Sequence, residues 1–350
     1  HRIVKVVTLS GYVVAKMTGL TVEEAFIDPS YLTWTGLSDT ARGVWSPELA
    51  EITDLGTEGL DKLPRIVKST TVVGYLSPET ARFCGLTAGI PVVAGAGDQA
   101  AGFLGAGMDE RGCLVDVAGT FPVFGVCLSQ YFSDQKNRML KPVASPLGDN
   151  CWYSMMYING GGLTHRWFAE HMSETNNDSF KQLDAAAAEI TEGAEGLFCV
   201  PHLMGRACPN QPDIRGAWIG FTWTHRRPHF YRALLESIAY EYALALRVVK
   251  EVEPNLPLTA VRVVGGGAIS DLWNQIKADV TGLPYERLRM QDASTRGSAM
   301  IAHQALGILP STSRRIAQSG KQFLPCEKAH QRYQVCLESY RVMIGNINCI

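Results

Sequence analysis

Three times in this 350-residue chain an apolar run breaks off at a cluster of glycine and alanine. The stretches are "PVVAGAGDQAAGFLGAG" (Pro91 to Gly107), "LVDVAGTFPVFG" (Leu114 to Gly125) and "VVGGGAISDLWNQ" (Val263 to Gln275). Short apolar runs bounded by glycine turns read as strands, and small residues after them let backbones approach closely. In the first stretch, Pro91 to Ala94 predicts a short buried strand, Gly95 to Gly97 a tight turn, and the residues from Asp98 onward a helix.

The rest of the chain alternates in the same way. "WYSMMYI" and "GLFCVPHL" read as strands, "GLTHRWFAEHM" and "DAAAAEI" as helices, and "YERLRM" followed by "STRGSAMIAHQALG" as strand then helix. Tyr231, Leu234, Leu235, Ile238, Tyr242, Ala245 and Val249 recur at helical spacing and predict a buried stripe on one long helix. Strands alternating with helices imply an α/β fold with helices on the sheet faces. Earlier, "WSPELAEI" and "LSPETARFCGL" predict helices capped by Ser46 and Ser77 with Pro47 and Pro78 at the first helical position. The start, "HRIVKVVTLSGYVVAKMTGL", reads as an amphipathic helix of a chain whose beginning lies upstream; Lys5 and Lys16 interrupt it as a signal peptide. Residues 129 to 150 carry no clear period.

Composition excludes several partners. A formal net charge of -2 shows no excess of either sign, and "HRRPH" (His225 to His229) is too short for a nucleic-acid footprint. No apolar run is long enough for a membrane span. The nine cysteines are scattered, form no Cys-x-x-Cys pair and have apolar neighbours, which predicts reduced, buried thiols in a cytoplasmic protein.

Each glycine-rich strand end has two readings. Asp98 is either the N-cap of its helix or a general base at the mouth of a cleft. Gly119 and Thr120 form either a plain hairpin turn or a cradle of N–H groups and a hydroxyl for phosphate oxygens. Gly265, Gly266 and Gly267 allow either close helix–sheet packing or a nucleotide at the helix start. Neither of the last two stretches matches the Gly-Lys-Ser/Thr phosphate loop or the Gly-x-Gly-x-x-Gly fingerprint. His202, His225 and His229 lack metal-ligand spacing. "NGGGLTHRWF" (Asn159 to Phe168) is a ligand loop or simply a helix start.

Taken in order, these pieces resemble the FGGY family of carbohydrate kinases over nearly the whole chain, with the xylulokinase (pentulose kinase) branch nearest. "AGAGDQAAGFLGAG" resembles the family's Gly-Asp-Gln/Asn element, "VDVAGT" its second phosphate loop, and "RGAWIGFTWTHRRPHFYRALLESIAYE" its C-terminal signature. "VVGGGAISDLWNQIKADVTGLP" is similar to the adenosine-pocket turn and helix.

The resemblance implies an actin-like ATPase, ribonuclease H-like fold of two domains hinged around a cleft. Residues 1–107 would be the remainder of a sugar-side N-terminal domain, incomplete because the family's opening Asp-x-Gly-Thr hairpin is not in the sequence, and 108–350 the nucleotide-side domain. It further implies ATP and Mg²⁺ as cofactors, a small sugar as substrate, and a homodimer by analogy. Asp98 would be the general base and Gln99 a sugar ligand. Gly119 and Thr120 would hold phosphates, and Gly265, Gly266, Gly267 and Ala268 the adenosine, with Asn274 nearby. No metal ligand from this chain is assigned. Arg226, Arg227 and His229 are read as surface residues. Phe121 stands where the family often has Ser, and "GRACP" (Gly205 to Pro209) lacks the acid of the pentulose kinases' Gly-Glu-Arg-x-Pro. Two alternatives stay open: a kinase of glycerol or another polyol, and a catalytically silent member that binds nucleotide or a partner.

Overall fold

The computed structural model describes residues 3–148, 151–172, 180–289, 292–308 and 319–347. Its centre is a seven-stranded mixed sheet in the order Ser319–Phe323, Tyr285–Leu288, Val261–Val264, Leu114–Val117, Val123–Leu128, Trp152–Tyr157, Lys141–Ala144. Val261–Val264 runs parallel to Leu114–Val117 and to Tyr285–Leu288, and the remaining neighbours are antiparallel. Both faces are covered, so successive strand residues enter opposite cores. Leu114 and Phe124 point into the larger core, whereas Val115 and Val123 point into the smaller one.

The larger core is built on the helix Arg227–Val252. Every residue of its predicted stripe is buried, and Tyr242 stacks on Phe124 with ring centroids 4.7 Å apart. The helix is also buried on its far side, beneath the helix Glu327–Asn346, and charged side chains caught there are paired. Arg232 donates to Glu236 at 2.7 Å and to the Tyr333 hydroxyl at 2.7 Å, and Tyr333 donates to Glu236 at 2.8 Å. Glu241 accepts from Arg206 at 2.9 Å and from Tyr340 at 2.7 Å, and lies 3.2 Å from His202 Nε2. Burial opposes the ionised form of Glu241, but Arg206, His202 and Tyr340 outweigh it and hold its pKa at about 2.

On the other face lies the helix Asp98–Gly105, with Phe103 edge-on to Tyr153 at 5.6 Å. This helix packs backbone to backbone against the helix Ala293–Ala305. A Cβ added at Gly105 would overlap the Ala293 carbonyl, and one at Gly297 would overlap the Ala101 carbonyl.

The predicted caps are present: Ser46 accepts from Leu49 N, and Ser77 from Thr80 N. Several expectations need correction. Of the opening segment only Leu9–Thr18 is helical, and Lys5 donates instead to the carbonyls of Asp61 and Leu63. Pro91–Val93 is half-buried rather than buried, because it pairs with Val72–Tyr75 in a separate two-stranded sheet. His229 is buried, not a surface residue; its Nδ1 accepts from Arg226 N at 3.1 Å and completes the start of the long helix. Cys127 and Cys151 form a disulfide. Cys127 lies on Val123–Leu128 and Cys151 just precedes the neighbouring antiparallel strand Trp152–Tyr157, with Cα atoms 5.9 Å apart, so the expectation of reduced thiols fails for this pair, and that of burial fails for the exposed Cys84 and Cys326. Among the described residues no helix is long and apolar enough to cross a membrane.

Candidate nucleotide and sugar site

Two glycine turns meet at the C-terminal ends of neighbouring parallel strands. Gly267 N donates to the Ala118 carbonyl at 2.8 Å, and Ala118 N to the Val264 carbonyl at 2.8 Å, so the turn after Leu114–Val117 is fastened to the turn after Val261–Val264. A third element closes on them. The helix Gly161–His171 begins where Gly162 N donates to the Thr120 carbonyl at 3.1 Å, and a Cβ at Gly162 would overlap Gly119 O. Two strand ends and a helix N-terminus thus come together, an arrangement that favours an anion.

A cavity of about 870 Å³ opens there, lined among others by Gly119, Thr120, Gly162, Gly266 and Gly267. Arg166 and Lys181 supply positive charge to its wall. Its apolar side is aromatic: Phe180 stacks on His165 at 4.5 Å, and His165 stacks on Tyr231 at 5.4 Å with Trp273 at the same distance. Asp184 accepts from Ser270 Oγ at 2.7 Å and from the Tyr231 hydroxyl at 3.1 Å, while His165 Nε2 bonds the same hydroxyl. Burial raises the pKa of Asp184 above the ordinary carboxylate value. Burial, helped by the charge of Lys277, lowers that of His165 to about 4, so its ring is neutral.

Of the sequence-derived residues, Gly119, Thr120, Gly266 and Gly267 line this cavity. Gly265 supports it from the turn, at a φ of 94° that favours glycine. Ala268 and Asn274 are buried behind it: Asn274 Nδ2 donates to the Ala268 carbonyl at 2.7 Å, which ties the turn to the helix Asp271–Thr281. Asn274 Oδ1 is buried without a hydrogen-bond partner among the described residues.

Asp98 and Gln99 lie outside the lining. Asp98 is the exposed first residue of its helix, and Gly97, not Asp98, is the N-cap. The Asp98 carboxylate accepts from Gln99 N at 2.8 Å. Sequence reasoning missed His165, Arg166, Phe180, Lys181 and Asp184. The unresolved choice over Asn159 to Phe168 was the signal for the first two, because that segment is both a helix start and a cavity wall.

The cavity thus combines glycine-lined strand ends with cationic and aromatic walls, chemistry suited to an anionic group and a flat ring. Comparison with known proteins places the fold. Residues 1–105 match the N-terminal domain of the FGGY family of carbohydrate kinases, and residues 114–306 match its C-terminal domain. The chain belongs to the FGGY family, whose two-domain fold is of the actin-like, ribonuclease H-like ATPase type. It is 27% identical over 304 residues to a xylulose kinase of Staphylococcus epidermidis, covering 85% of this chain and 59% of that one. A gluconokinase of Bacillus subtilis is 28% identical over 297 residues, covering 82% of this chain and 56% of that one. The structure of a xylulose kinase from Lactobacillus acidophilus superposes with a TM-score of 0.86 at 21% identity, covering 98% of this chain and 68% of that one. The chain therefore spans little more than half the length of the curated relatives it matches.

Proposed function

We propose that this protein transfers the γ-phosphoryl group of ATP to a hydroxyl of a small sugar, with a pentulose such as xylulose as the first acceptor to test. The observation that carries the reading is the joined pair of glycine turns at the cavity, with Gly267 N bonded to the Ala118 carbonyl. In this reading the N–H groups and hydroxyl at Gly119 and Thr120 hold the terminal phosphates, and the aromatic wall takes the base. The glycines leave room for the ligand: Gly266 lines the cavity, and a Cβ there would meet no protein atom within 4 Å.

Asp98 accepts the proton of the attacking hydroxyl as the new O–P bond forms and the bond to the ADP oxygen breaks. Gln99 beside it orients a sugar hydroxyl. Mg²⁺, when bound with ATP, would neutralise charge on the phosphates; among the described residues no three His, Cys, Asp or Glu converge to hold it. A cytoplasmic setting is supported by the free thiols Cys84, Cys113, Cys199, Cys208, Cys326 and Cys336 and opposed by the Cys127–Cys151 disulfide.

The test is ADP release from MgATP across pentuloses, gluconate, other hexose derivatives and glycerol, with Asp98→Asn in parallel. Turnover with one acceptor, lowered at least about 100-fold by Asp98→Asn with nucleotide affinity kept, is the expected result. Nucleotide binding without acceptor-dependent turnover would favour a silent nucleotide-binding member.

A further inference from the structure

We propose that Ser30, backed by Asp28, is the positioning residue for Asp98. This rests on the reading of Asp98 as the base. The two residues come from a part of the chain that gives the nucleotide cavity no side chain.

Asp28, Ser30 and Ser69 are each 3% exposed. Asp28 Oδ1 accepts three hydrogen bonds, from Ser30 N at 3.0 Å, Ser30 Oγ at 2.5 Å and Ser69 Oγ at 3.3 Å. A serine hydroxyl has one proton. Because Ser30 gives it to the carboxylate, its lone pairs are left to accept, and one receives Gly97 N–H at 2.8 Å across 67 residues of sequence. The polarity of the chain is therefore set by Asp28, and Gly97 N–H has a fixed target.

Gly97 is the residue before Asp98 and the N-cap of its helix, and it has no side chain with which to cap that helix itself. The rest of the turn is fastened to the same region, since Gly95 N donates to the Ser69 carbonyl at 2.9 Å and Ala94 N to the Thr71 carbonyl at 2.9 Å. On the far side of Asp98, its own carbonyl accepts from Ser294 Oγ at 3.2 Å. Asp98 is otherwise exposed, so the direction in which its carboxylate leaves the turn depends on these backbone anchors. A small misplacement of a base costs rate rather than binding, because the proton-transfer geometry is needed only in the transition state.

The experiment uses the whole chain with Ser30→Ala, Asp28→Ala and Asp28→Asn, and reads kcat, both KM values and hydrogen exchange at the Gly97 amide. Ser30→Ala and Asp28→Ala are expected to lower kcat about tenfold with KM for sugar and nucleotide within about twofold, and to speed Gly97 exchange by about the same factor. Asp28→Asn keeps an oxygen that accepts from Ser30, and is expected to stay within about threefold of the unsubstituted protein. Ser30→Ala with unchanged kcat, or with KM values rising in step, would overturn the proposal. If the unsubstituted protein shows no acceptor-dependent turnover, the reading of Asp98 as base fails. Gly97 exchange then decides for Ser30 alone: faster in Ser30→Ala supports the anchor, and unchanged exchange refutes it.

Discussion

The ammonium of Lys277 lies 2.6 Å from Asp116 Oδ2, with both side chains fully buried. Tyr242 donates to the other Asp116 oxygen at 3.0 Å, and the ammonium sits 4.0 Å from the centre of the Trp273 ring. Burial pushes the Lys277 pKa down, and Asp116 opposes that push. The pair links the strand Leu114–Val117, which leads into the Gly119 turn, to the helix that follows the Gly265–Gly267 turn. Removing one partner strands a buried charge. Lys277→Met is therefore expected to cost about 3–5 kcal/mol in denaturant unfolding, and adding Asp116→Leu to recover most of it.

Adjacent glycines at the cavity separate fold from ligand. A Cβ at Gly266 meets nothing within 4 Å, whereas one at Gly267 lies 2.7 Å from Trp273 Cζ3 and 3.1 Å from the Ala118 carbonyl oxygen. Gly266→Ala is expected to leave the melting temperature unchanged and to weaken ATP binding about tenfold. Gly267→Ala is expected to lower stability by about 1–3 kcal/mol. Calorimetry of melting and of nucleotide binding on both variants checks the contrast.

Acid sensitivity follows from His165. The folded protein holds this ring neutral down to about pH 4, while the unfolded chain takes up its proton near the ordinary value of 6.5. The unfolded state therefore binds more protons below pH 6.5, and stability falls as pH drops from 6.5 towards 4, by at most about 3 kcal/mol. His165→Phe is expected to flatten that part of the stability profile, measured by unfolding at stepped pH.

Tyr333 accepts from Arg232 and donates to Glu236 inside the core, where burial raises the Glu236 pKa against the pull of Arg232. Tyr333→Phe leaves both charged groups short of a partner. A loss of about 1–3 kcal/mol is expected, visible as a melting temperature several degrees lower with ATP affinity unchanged.

The strands and helices that bury one face per turn or per residue pair were legible in the sequence, as was the glycine framework of the cavity. What escaped has physical reasons. Lys141–Ala144 is a four-residue edge strand containing Pro142, which an edge tolerates and a periodicity search overlooks. Phe180 and Asp184 belong to a short helix whose alanines suggest only packing, and their place in the cavity depends on Tyr231 and Ser270, 47 and 86 residues away from Asp184. Asn274, which the resemblance sets near the nucleotide, gives its amide to the Ala268 carbonyl, a contact no spacing in the sequence announces. The buried pairing of Glu236 and Glu241 was not legible either, because their tyrosine partners on the last helix are about 100 residues distant.

Asp98 hangs between two attachments of different origin: the N–H of the preceding Gly97 is held by Ser30, and its own carbonyl by Ser294. The helix behind it cannot slide, because Gly105 and Gly297 already bring two backbones into contact. The two serines therefore fix the main chain on either side of the Asp98 Cα, one from the first third of the sequence and one from the last. A change at either serine reaches the carboxylate through the backbone, without touching the acid itself.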